Sequence, residues 1–97
     1  MSRGVLKWNV RVDDTTHRIG AGPVVMVACQ YDPGVVQVWT DEADVDHVRD
    51  RLARVYGTGQ PIPAAAVHIG SVMTAGSLVW HVFASPFVDG TVEEAGR

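Results

Sequence analysis

The sequence has almost no cysteine, no long apolar run and no surplus of basic charge, and each shortage removes a class of protein. One cysteine, Cys29, in 97 residues cannot close an intrachain disulfide or build a cysteine-based metal knuckle, and it suits a reducing cytosol. No apolar stretch approaches the ~18 to 20 residues that a membrane span requires. The opening Met-Ser-Arg-Gly-Val-Leu-Lys-Trp lacks the apolar core of a signal peptide. Eleven acidic against eight basic residues give a formal charge of −3, which offers no basic face to duplex nucleic acid. Repeats and low-complexity tracts are missing too. What is present, 46% hydrophobic and 20% charged residues, is enough for one packed core and argues against disorder. The expectation is a cytosolic single domain without a membrane segment. Its core is small enough that homo-oligomerisation would add to its stability.

The hydrophobic pattern is mostly that of strands. In residues 5–12, Leu6, Trp8, Val10 and Val12 alternate with Lys7, Asn9 and Arg11, the period of a half-buried strand. Asp13-Asp14 predicts a turn, Thr15 to Ile19 a short second strand, and Gly20-Ala21-Gly22-Pro23 a break. Residues 24–31 are apolar on both faces, as in a central strand. Asp32-Pro33-Gly34 supplies turn chemistry, and residues 35–40 run back to close a hairpin. Residues 41–56 admit two readings. Val45, Val48, Leu52 and Val55 have helical spacing, which periodicity favours, against an acidic loop followed by a strand over 51–56. Residues 68–75 and 77–84 predict a second hairpin turning at Gly76. The sum is an all-β fold of about six or seven antiparallel strands, in a sandwich or flattened barrel, with 41–50 as a loop or short helix. One domain over 1–85 and a flexible C-terminal tail over 86–97 complete the expectation.

The chain carries little that promises chemistry. His17, His47, His68 and His81 lie in no metal-ligand spacing, so neither a metal nor a cofactor is expected. His81 reads first as a packed histidine and second as a ligand-facing one. Asp41, Glu42, Asp44 and Asp46 cluster, but on what reads as a solvated segment, where two carboxylates keep similar pKa values and do no acid–base work. Ser71, Ser77 and Ser85 lack a nucleophile elbow, and Cys29 sits in an apolar stretch where a thiol is inert. No catalytic residues are assigned, and the chain does not read as an enzyme.

The most distinctive stretch is Arg54-Val55-Tyr56-Gly57-Thr58-Gly59-Gln60-Pro61-Ile62-Pro63. Its two glycines leave backbone N–H groups uncovered, and its prolines stiffen the exit. It lacks the lysine of a Walker loop and the third glycine of a dinucleotide fold. It is either a structural corner or a ligand site. As a site, Gly57 and Gly59 would offer N–H groups, Thr58 a hydroxyl, Gln60 an amide and Arg54 a charge for an anionic or polar ligand. Tyr56, Trp39 or Trp8 would stack on a base, and His81 would add a hydrogen bond.

These residues also carry a resemblance. Leu6-Lys7-Trp8, the strand pair ending at Trp39, the 54–63 stretch, His68-Ile69-Gly70 and Gly76-Ser77-Leu78-Val79-Trp80-His81-Val82-Phe83 occur in order over about residues 5–84. In this the chain resembles a widespread family of small tailed-bacteriophage proteins of unknown function. Family members commonly carry histidine where this chain has Gln60, which counts against an essential imidazole there. The family pattern implies a strand over 51–56 in place of the helix. It brings no activity with it. Phages encode small oligomeric proteins that sequester nucleotide immune signals, and size, origin and loop chemistry together suggest a cyclic nucleotide as ligand here, in the host bacterial cytosol. The competing expectation is a protein–protein module, such as an inhibitor of a host protein or a virion or replication accessory, with exposed aromatics as its interface.

Overall fold

The computed structural model of the chain describes residues 2–85, so the expected tail over 86–97 lies outside the described residues. Seven strands follow in order: β1 (Gly4–Arg11), β2 (His17–Gly20), β3 (Val24–Ala28), β4 (Val35–Glu42), β5 (Asp50–Gly57), β6 (Val67–Met73) and β7 (Val79–Ala84). They form two antiparallel sheets, β1-β4-β3 and β2-β5-β7-β6, packed face to face and not closed into a barrel. Among the described residues there is no helix.

The alternation expected of the first strand holds. Val10 is fully buried, Trp8 packs against the core, and Val5, Lys7, Asn9 and Arg11 face solvent. Val36 and Val38 of β4 meet Ile19, Ala53, Val55, Val82 and Ala84 of the other sheet in one cluster. The Trp8 indole N–H donates to Thr40 Oγ1 at 2.8 Å, which satisfies both groups inside the sandwich.

Residues 24–31, read as a central strand, make an edge strand that ends at Ala28. The register against β4 shifts between Val24 and Met26, and this bulge turns both Val25 and Met26 outward, 54% and 51% exposed. The middle place goes to β4, which pairs with β1 over eight residues without a break. Cys29 therefore lies beyond the strand, half-buried, with its thiol donating to Asp32 O and Val35 O.

The helical spacing over 45–55 is overruled. β5 is paired along both edges, with β2 and β7, and only a period of two places Ala53 and Val55 in the core. Residues 43–49 form the loop before it, held by Asp44, whose carboxylate accepts the Asp46 N–H at 3.0 Å. Glu42 departs from the solvated reading of its segment. It is 5% exposed and accepts the Gly22 N–H at 3.0 Å. Nearby, burial lowers the Arg51 pKa, and the Glu42 charge opposes that shift.

Candidate functional site

The 54–63 stretch spans the end of β5 and the start of its exit. β5 and β6 are parallel, with β7 between them, so the chain must return nearly the length of the sheet through residues 58–66. The inner side of that sheet is filled by the core, and its other side is the outer face of the sandwich. The exit begins with a turn in which the Gln60 N–H donates to Gly57 O at 3.1 Å. Gly59 takes φ +88°, the left-handed region where a side chain is strained. Gln60 binds the turn from above: its Oε1 accepts the Gly57 N–H at 2.9 Å, and its Nε2 donates to Asp14 Oδ1 at 3.2 Å. Gln60 is thus a clamp on the turn.

Alternation along β5, β6 and β7 brings a second set of residues to the same outer face. Tyr56, His81 and Ser71 lie side by side across the three strands, as do Arg54, Phe83 and His68. The Arg54 guanidinium lies over the Tyr56 ring at 4.8 Å. Phe83 meets that ring edge-on at 5.7 Å, and His68 tilts against Phe83 at 5.1 Å. Tyr56 is only 6% exposed, so it backs the arginine and leaves no ring face for a base.

Beside this aromatic row runs a chain of hydrogen bonds. Thr58 Oγ1 pairs with His81 Nε2 at 2.9 Å, Ser71 Oγ with His81 Nδ1 at 2.7 Å, and His68 Nε2 with Ser71 Oγ at 2.8 Å. With neutral imidazoles the donors run from Thr58 to His68 or the reverse, every link satisfied either way. Thr58 also borders an open cleft of about 380 Å³, lined by Gly57, Thr58, Ser77, Leu78, Val79 and Trp80. That volume is at the lower end of small-molecule sites. Trp80 forms one wall, with its ring about 3.5 Å from where a Cβ on Gly57 would stand, and its N–H spent on Pro33 O at 3.0 Å.

Arg54 is the least committed of these groups. Its ion pair to Asp14 Oδ1 is long at 3.6 Å, and its Nε–H is buried with no acceptor among the described residues. A stranded buried donor costs about 1–3 kcal/mol.

The structure therefore groups Arg54, Tyr56, Gly57, Thr58, Gly59, Gln60 and His81. Trp8 and Trp39 are elsewhere: both belong to the other sheet, Trp8 against the core and Trp39 between the buried Val38 and Thr40, hence on the outward side. Ser71, His68, Trp80 and Asp14 join the site unpredicted. For Ser71 a signal existed, because Ser71 and His81 are equidistant from Gly76, and a hairpin turning there sets them opposite. Among the described residues no group of three or more histidine, cysteine or acidic side chains is arranged to hold a metal ion, and no helix is long and apolar enough to cross a membrane.

A family described as a domain of unknown function, DUF7352, matches residues 1–90. No curated protein and no solved structure matches the chain.

Proposed function

The chain belongs to the DUF7352 family, and we propose that it is a binding protein that sequesters a cyclic nucleotide without hydrolysing it. The observation that carries this reading is Arg54, a guanidinium with uncommitted donors on the outer face beside His81, with Thr58 reaching that imidazole and also bordering the cleft walled by the inward-facing Trp80. A planar fork of donors suits a phosphate, and charge-assisted bonds are the strong ones. Trp80 supplies the apolar wall for a base, in the place first given to Trp8 and Trp39.

On the phage resemblance, the ligand would be a signal of bacterial antiphage defence, met in the host cytosol. Assembly into a homo-oligomer belongs to the same reading. Leu78 at the cleft and nearby Met73 on β6 are 54% and 65% exposed, an apolar rim that a second copy would cover.

A panel of cyclic mono- and dinucleotides in a thermal-shift assay tests the proposal. A ligand at 100-fold over its Kd adds about 2.7 kcal/mol, which raises the Tm of a domain this size by about 10 °C or more. The ligand should be recovered intact after heat denaturation, and Arg54→Ala should abolish the shift. Silence across the panel, or recovery of cleaved product, overturns the reading.

One observation favours the alternative of a protein–protein module. Val5, Val25, Met26 and Tyr31 are 55%, 54%, 51% and 80% exposed on or beside the three-stranded sheet, on whose outer side Trp39 also lies. Under that reading Met26→Asp would break a stoichiometric complex with a host protein, and Arg54→Ala would leave it intact.

A further inference from the structure

The loop between β1 and β2 places a carboxylate where a ligand's oxyanion would sit. Arg54 Nη2 and Gln60 Nε2 come from different elements, and both approach the same oxygen, Asp14 Oδ1, at 3.6 and 3.2 Å. Neither contact is tight, since a charge-assisted N–H to O⁻ bond settles near 2.7–2.9 Å. The Asp14 side chain is 75% exposed, so packing does not hold it there. Its backbone is strained as well, with φ 61° in the left-handed region. A loosely held, exposed carboxylate on a strained residue is easily displaced.

We propose that Asp14 is a built-in stand-in for the anionic group of the ligand, and that a phosphate or carboxylate oxygen displaces it from Arg54 and Gln60. The inference rests on the binding reading above and adds a specificity residue to it. While Asp14 stays, its charge opposes any incoming anion. A ligand must therefore bring more than one contact, and free phosphate is held weakly. Because Gln60 also clamps the Gly57 N–H, displacing Asp14 is felt by the turn that carries Thr58. The charged groups bordering this position are Arg54 on β5 and, on the loop before β2, Asp13, which is bound to Thr15 and His17. His81 and His68 are joined to Ser71 on the other side of Tyr56 and Phe83.

The test is Asp14→Asn with inorganic phosphate as probe. Asparagine keeps an oxygen for Gln60 and tolerates the left-handed backbone, so only the charge is removed. Two unit charges about 4 Å apart in water interact by about 1 kcal/mol, more in a partly buried setting, so phosphate should bind about five- to tenfold more tightly. The readout is the ¹⁵N-coupled shift of the Arg54 Nε–H and of the Gly57 to Gln60 amides during titration. Unchanged or weaker binding in Asp14→Asn overturns the proposal, as does a titration in which neither protein moves the Arg54 signal. If the nucleotide panel is silent while Asp14→Asn binds phosphate at Arg54, the stand-in role holds and the cyclic-nucleotide reading falls. If a nucleotide binds through Arg54 and Asp14→Asn does not tighten it, the reverse is true.

Discussion

The indole of Trp8 is a direct test of which tryptophans are structural. Its N–H donates to Thr40 Oγ1 at 2.8 Å, and Thr40 is fully buried between the sheets. Thr40→Val replaces the acceptor with a methyl group of nearly the same size, so packing is kept and the indole N–H is stranded. An unpaired buried donor costs about 1–3 kcal/mol, and the added methyl recovers part of it, leaving a loss of about 1–2 kcal/mol. At 4–8 °C per kcal/mol this lowers the Tm by about 4–16 °C. Trp8→Phe costs more through lost area, but Thr40→Val made on top of Trp8→Phe should cost little, because no indole donor is left to strand. The two effects should therefore be non-additive by about 1 kcal/mol. Urea unfolding followed by far-ultraviolet circular dichroism gives all four corners of the cycle. If Thr40→Val is neutral, or the two effects simply add, the Trp8 indole is not bonded to Thr40 inside the sandwich.

Three further expectations follow from the geometry. A Cβ on Gly70 would stand 2.4 Å from Val27 Cγ2 across the two sheets, so Gly70→Ala should cost about 1–3 kcal/mol in calorimetry, with part recovered by adding Val27→Ala. Ser77 occupies the left-handed position of the β6–β7 turn at φ 67°, so Ser77→Gly should stabilise by about 0.5–1 kcal/mol in chemical denaturation. Hydrogen bonds from His17 and then Thr15 hold the Asp13 carboxyl down at about 2, below its usual 3.8. A carboxyl depressed by folding stabilises above its unfolded value and loses that contribution as pH falls through its folded one. Acid titration of Asp13→Asn should thus show a shallower stability loss between about pH 4 and pH 2 than the parent. Equal slopes would refute it.

In the proposed site a sheet face and a turn meet. β5 delivers Arg54 and Tyr56 to the outer side, β7 delivers His81, and the turn after β5 folds Thr58 back to reach that imidazole. A face built on paired strands keeps these groups in place without a ligand, which lowers the ordering cost of binding one. Asp14, from a loop, is the adjustable part.

The features legible in the residues are those that depend on near neighbours. The alternation in 5–12 placed Trp8 and Val10 inward, Asp32-Pro33-Gly34 set the β3–β4 turn, and the apolar runs on either side of Gly76 set the β6–β7 hairpin. The glycines and Gln60 marked the turn after β5 for the same reason, since its geometry is closed within four residues. Packing between distant segments put β3 at an edge and buried Glu42, and it made residues 50–57 a strand, as the resemblance implied and the helical spacing did not, because each depends on partners far along the chain. It also separated Trp8 and Trp39 from the 54–63 stretch, and it joined Asp14 and His68 to that stretch. Side chains alternate by local geometry, but sheet order and register are set by contacts between distant segments, and a single bulge changes what faces what. His68 shows it: counting from Gly76 sets it opposite Ala84, and the register shift before Gly70 moves it opposite Phe83, on the outer face within reach of Ser71.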